Sequence, residues 1–96
     1  MITTITLAAG RVTGTTGVLT GAGAVTARTG AGVYTVTLDQ QVDQAQSTMN
    51  LTLEASGVGK IVHTSDSVKT VSTFAVDGTT ATDKDFNFEI KQILGI

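Results

Sequence analysis

Gly32-Val33-Tyr34-Thr35-Val36-Thr37-Leu38 decides how the rest of the chain is read. β-Branched and aromatic side chains fill it, and these suit a pleated, half-buried surface. Alternation puts Tyr34, Val36 and Leu38 on one face and Val33, Thr35 and Thr37 on the other. Gly30 and Gly32 precede the segment and Asp39 follows it, so turn-prone residues bound it at both ends. The remaining segments are read as the sheets that cover its apolar face.

Working outward, Thr48 to Ala55 alternates with Met49, Leu51, Leu53 and Ala55 facing in. Phe86 to Ile93 alternates as cleanly, with Phe86, Phe88 and Ile90 against Asn87, Glu89 and Lys91. Val58 to Thr64 reads as a strand before the turn Ser65-Asp66-Ser67. In the strand Val68 to Val76, the residues Val68, Phe74 and Val76 share a face with Thr70 and Ser72. Val71 points the other way, which suggests partial cover on both sides. Towards the N-terminus, Ile2 to Ala8 is a strand, Ala9-Gly10 breaks it, and Arg11 to Thr13 is a short extended piece. Residues 1–10 read as an edge strand or a docking arm. Val18 to Arg28 is either one long bent strand or two strands with a bulge at the glycines. Asp39 to Gln46 is a loop with at most one helical turn, since no apolar stripe supports more. Asp77 to Asp85 is a polar loop.

Seven or eight short strands with turn signals between them, and no helix to cover a parallel sheet, predict an all-β fold. The expected architecture is a small antiparallel two-sheet β-sandwich forming a single domain over residues 1–96. Its expected core is Tyr34, Val36, Leu38, Leu51, Leu53, Phe74, Phe86, Phe88 and Ile90. A chain of this length buries roughly two-thirds of its unfolded surface, so the core is thin. The four aromatics, Tyr34, Phe74, Phe86 and Phe88, must supply much of it.

Charge narrows the function classes. The net charge of −2 argues against a nucleic-acid partner. No run approaches the length of a membrane-spanning helix. The N-terminus, without a basic start or an apolar block, does not read as a signal peptide. Cysteine is absent, which removes disulfides and thiolate metal ligands. Before Asp39 the only charged side chains are Arg11 and Arg28; all eight carboxylates and the four lysines lie from Asp39 onward. The first 38 residues contain eighteen threonines or glycines. That composition fits a hydroxyl-coated β surface, and it also fits a surface that lies against a partner, since interface cores are poor in charge.

No constellation points to catalysis. His63, Ser65, Asp66 and Ser67 contain the residue types of a hydrolase triad, but neighbours on one strand alternate faces and do not converge. The three carboxylates of Asp77 to Asp85 could offer oxygens to calcium, although their spacing is not that of an EF-hand and Lys84 lies among them. Gly21-Ala22-Gly23 and Gly30-Ala31-Gly32 precede no helix that could hold a phosphate. Lys60 and Lys69, on adjacent strands, make a weak basic patch. No catalytic, metal-binding or cofactor-binding residue is assigned, and no cofactor is expected.

A resemblance enters on the best-defined segments. Gly30-Ala31-Gly32-Val33-Tyr34-Thr35-Val36-Thr37-Leu38 with Val42-Asp43 resembles the "GxGxYxVxF…V" opening of a β-sandwich module of bacteriophage virion fibres and head-decorating proteins. Val68-Lys69-Thr70-Val71-Ser72-Thr73-Phe74, then Asp77-Gly78, then Asp83-Lys84-Asp85-Phe86-Asn87-Phe88, is similar to that module's "VxVxTxDxxGxxADxxFxFxV" ending. The likeness covers residues 30 to 90. It implies a non-catalytic structural protein that decorates or cements a capsid exterior, on the virion surface after synthesis in the host cytoplasm. The implied partners are the major capsid protein or other virion proteins, and the implied state is a symmetric homo-oligomer, a trimer by preference. The alternative is a host-receptor or glycan-binding tip of a fibre. The chain has neither the fibrous shaft nor the collagen-like repeat that often accompanies such tips, which favours decoration. The matching residues Tyr34, Val36, Phe74, Phe86 and Phe88 are packing residues, so no ligand site comes with the resemblance.

Overall fold

The computed structural model describes residues 2–39 and 47–95, with side chains from residue 4 to residue 93. The loop expected over Asp39 to Gln46 therefore lies, after Asp39, outside the described residues. Eight strands follow one another: β1 (Ile2–Val12), β2 (Leu19–Ala22), β3 (Ala24–Gly30), β4 (Val33–Leu38), β5 (Ser47–Leu53), β6 (Val58–His63), β7 (Val68–Phe74) and β8 (Phe86–Gly95). They form two four-stranded sheets. Sheet A has the order β2-β1-β8-β5 and sheet B the order β3-β4-β7-β6, with every pairing antiparallel. This is the two-sheet β-sandwich that the alternation predicts.

The long axis of the molecule, 42 Å against 22 Å and 21 Å, follows from its longest strands. Eleven residues of β1 reach about 36 Å at roughly 3.3 Å per residue. β8 runs beside β1 for almost its whole length, from Val12↔Phe86 to Ile2↔Gly95. β2 pairs only with Ala9 to Val12, so among the described strands Ile2 to Ala8 has a neighbour on one side alone. The expected break at Ala9-Gly10 is absent; the irregularity is a bulge between Thr6 and Ala8. Gly10 stays in the strand because β2 comes so close that a Cβ there would sit 2.5 Å from the Thr20 carbonyl oxygen. The Val18 to Arg28 segment is two strands, and they belong to different sheets.

Between the sheets lie Ala8, Val12, Tyr34, Val36, Leu38, Val71, Phe86, Phe88 and Ile90, all buried. Six of these are expected from the sequence: Tyr34, Val36, Leu38, Phe86, Phe88 and Ile90. Leu51 is half-buried against this cluster, and Leu53 is half-buried at the end of β5. β7 requires a correction. Its inward face is Lys69, Val71 and Thr73, and its outer face is Val68, Thr70, Ser72 and a half-buried Phe74. Pairing decides this: Tyr34 points into the core, Val71 lies opposite it, and residues opposite each other share a face. Phe74 is therefore not a core residue. Lys69, which the weak patch with Lys60 would place at the surface, is fully buried, while Lys60 lies on the outer face opposite Ser72.

Candidate functional site

The charged residues that the sequence separates are brought together at one end of the sandwich. Arg28 donates through Nε and Nη2 to Asp83, with Nη2 to Oδ2 at 2.9 Å. The Oδ1 atom of Asp83 also accepts the Gly32 N–H at 2.8 Å, which ties the β7–β8 connection to the β3–β4 turn. Two residues on, Asp85 accepts the Gly14 N–H at 2.7 Å and Arg11 Nη2 at 2.7 Å, which ties it to the β1–β2 turn. Arg11 also reaches Glu54, at 2.9 Å. The Tyr34 hydroxyl lies between these groups, 2.7 Å from the Gly14 carbonyl oxygen and 3.1 Å from Asp83. Burial is the chief reason its pKa is raised. Asp77 accepts the Thr80 hydroxyl and the N–H groups of Thr80 and Thr79, which together hold its pKa at about 2.

Calcium would need the oxygens that these arginines, backbone amides and hydroxyls already occupy. Among the described residues no three carboxylate or imidazole groups gather as a metal site requires. The carboxylates of this loop are latches. The hydrogen bond from Arg28 is the main reason the Asp83 pKa lies below the ordinary 3.8, and the Gly32 amide adds to it. A lowered folded-state pKa means stability that is present above the unfolded value and lost as pH falls through the folded one. Asp83→Ala should therefore cost about 1–3 kcal/mol at neutral pH, because it leaves the buried Gly32 N–H and Arg28 without their acceptor. The urea midpoint of the variant should also fall less steeply than that of the wild type as the pH drops below the ordinary aspartate value of 3.8. Equal acid slopes would remove Asp83 from the latch.

Lys69 and His63 sit at the opposite end of their hairpin. The Lys69 ammonium donates to Ser47 Oγ at 3.3 Å across the sandwich. Burial lowers its pKa, opposed by Asp66. His63 ends β6 in register with Lys69, and its pKa is lowered by desolvation first and by the Lys69 charge second. Ser65, Asp66 and Ser67 form the β6–β7 turn, closed by Ser65 and Val68 backbone bonds. These four residues thus belong to a hairpin and its turn.

The two outer faces of the sandwich differ in kind. Register lays out sheet A in rows: Thr20, Arg11, Asn87 and Thr52; then Ala22, Ala9, Glu89 and Asn50; then Thr6, Lys91 and Thr48. A shallow, open depression there is lined by Asn50, Thr52, Asn87 and Glu89, over the buried Phe88. Sheet B reads Gly30, Val33, Ser72 and Lys60; then Ala27, Thr35, Thr70 and Val62; then Val25, Thr37 and Val68. No family model, curated protein or solved structure matches the chain. The site therefore rests on its own chemistry. Sheet B presents valine and hydroxyl side chains with no carboxylate and one ammonium, Lys60. Val25 is 66% exposed, Val62 44% and Val58 41%. Phe74 continues this face beside Val58. Three of the four aromatics are buried, so the polar face of sheet A offers no ring for a sugar to stack on.

The charge-poor N-terminal third does not form one surface. β1 and β2 belong to sheet A, and β3 and β4 to sheet B. Its two arginines are paired with Glu54, Asp85 and Asp83. What it contributes to the outer face of sheet B is Val25, Ala27, Val33, Thr35 and Thr37. The sequence hides this face because its apolar members come from four strands and only register aligns them.

Proposed function

We propose that this chain is a non-catalytic structural protein that decorates or cements a capsid exterior, and that it meets the shell through the outer face of sheet B. The observation that carries the reading is the contrast between the two faces. Sheet A is covered with arginine, lysine, glutamate and amides, while the outer face of sheet B carries small apolar and hydroxyl side chains, Phe74 and one lysine, Lys60, without a carboxylate. Interface cores lose charge because desolvating an ion costs more than a neutral contact returns. A carboxylate-free β surface of small apolar and hydroxyl side chains fits a protein partner, and the repeated shell of a major capsid protein offers many copies of one. Weak single contacts then add through avidity when the module is a symmetric oligomer. The resemblance of residues 30–90 to virion β-sandwich modules supports the choice of partner.

Shells assembled from the partner major capsid protein should carry this chain down in sedimentation. Val25→Asp, at an exposed position, should release it while leaving the fold intact. Thr52→Asp, on the opposite face, should still sediment. Failure to sediment at all, or equal binding by the two variants, would overturn the reading.

A further inference from the structure

Each sheet has two edges, and exposed edges invite pairing unless charge, shortness or a bulge blunts them. Three of the four end strands are blunted, and the stretch of β1 that β2 leaves uncovered, Ile2 to Ala8, is interrupted by the bulge between Thr6 and Ala8. β2 is only four residues long. β3 carries Arg28 and a register shift before Gly30. β6 carries Lys60 and ends at His63. β5 is the exception: seven residues, Ser-Thr-Met-Asn-Leu-Thr-Leu, without a charge, a proline or an irregularity in its pairing with β8. Among the described residues no strand lies on its other side.

Its sequence also carries a symmetry. Thr48-Met49-Asn50-Leu51-Thr52 reads nearly the same in both directions about Asn50. About a two-fold axis each residue of an antiparallel strand pair meets the one at mirrored distance from the axis, so this near-palindrome sets like residues against like. We propose that β5 pairs with β5 of a second copy of this chain, with the two-fold axis at Asn50, joining the two A sheets into one. Thr48 then faces Thr52 of the second copy, Met49 faces Leu51, and Asn50 faces its own counterpart. Hydroxyl meets hydroxyl and apolar meets apolar on the correct faces.

Backbone direction agrees with this register. Glu54 N–H donates to the Asp85 carbonyl oxygen at 3.0 Å, one step beyond the Leu53↔Phe86 pair. In an antiparallel ladder the residues with that parity turn their amides towards β8. Met49, Leu51 and Leu53 therefore turn theirs outward, and Met49 opposite Leu51 makes a hydrogen-bonded pair. The same side of the sandwich is where its core stays open. Leu51 and Leu53 seat over Gly59, where a Cβ would come within 2.7 Å of both, yet Met49, Leu51, Leu53 and Ile61 remain only half-buried. A second copy would cover that seam. The pairing is independent of the capsid reading and is tested without a shell.

The purified full-length chain should sediment as a dimer at about 100 µM, in the range of a weak but specific interface. The chain has no cysteine, so Asn50→Cys should cross-link to dimers under mild oxidation. Asn87→Cys, on the same face but one strand inward, should not. Thr48 and Thr52 are exposed, so charging them leaves the core untouched. The double variant T48K/T52K sets like charges opposite each other twice and should weaken the dimer about tenfold. T48K/T52E sets opposite charges in the same places and should keep it. A monomer at the stated concentration, equal cross-linking of the two cysteine variants, or equal dissociation of the two charge variants would each overturn the proposal.

Discussion

Phe86→Ala should unfold this protein more readily than any other single truncation on β8. The ring is fully buried and meets Tyr34 edge-on, with centroids 5.1 Å apart and planes at 64°. It lies between Val12 on β1 and Leu53 on β5, so three strands of sheet A and the central strand of sheet B lose a common contact. Truncating a buried phenylalanine costs about 3–5 kcal/mol from lost transfer energy and the cavity left behind. A domain of this length has about 5–15 kcal/mol in total, and so thin a core places it at the lower end. The urea midpoint should fall by more than a third while the slope stays unchanged. Phe74→Ala is the matched control. That ring is half-buried on the outer face of sheet B, so its removal should cost about 1 kcal/mol or less. Equal losses would return Phe74 to the core and overturn the facing of β7 described above.

That contrast shows which parts of the fold the sequence discloses. β4 is legible over Tyr34 to Leu38 and β8 over Phe86 to Lys91, because each alternates there with large apolar residues only on the buried side. β7 is not. It places Val68 and Phe74 outward and Lys69 and Thr73 inward, against the count of apolar residues. The inward polar groups are satisfied by distant partners: Thr73 Oγ1 donates to the Thr82 carbonyl oxygen at 2.6 Å, and Lys69 reaches Ser47. No local pattern announces either bond. The latches are hidden for the same reason, since Arg11–Asp85 and Arg28–Asp83 join residues far apart in sequence. A trace of them is present even so. The first 38 residues hold two cations and no anion, and Asp83 and Asp85 sit two apart just before the clearest C-terminal strand. Two lone arginines, and two carboxylates two positions apart near a strand start, are the signal of paired turns. The mirrored run about Asn50 was equally visible, but it acquires meaning only once β5 is known to be an edge.

Gly23→Ala should be the second severe substitution, and it tests how the two sheets are joined. β2 belongs to sheet A and β3 to sheet B, with one residue between them. The chain must therefore turn from one layer to the other within Gly23, which has a φ of +91°. A side chain disfavours that backbone angle, at about 1–3 kcal/mol. Space forbids it as well. A Cβ at Gly23 would run into the Leu7 carbonyl oxygen and come within 2.8 Å of the Ala8 Cα, and both are backbone atoms that cannot rotate away. The corner also supplies the Gly23 carbonyl oxygen that accepts the Asp39 N–H at 3.0 Å, just after the end of β4. Moving β1 aside would disturb its bulge and the buried Ala8. Strain and overpacking together should exceed about 3 kcal/mol. Gly30→Ala is the comparison, because nothing lies within 4 Å of its Cβ position. That change should stay within about 1 kcal/mol of the wild type in either direction. Thermal and urea unfolding of the two variants side by side decides the point. A Gly23→Ala protein as stable as Gly30→Ala would mean that β2 and β3 are not joined by a corner between layers.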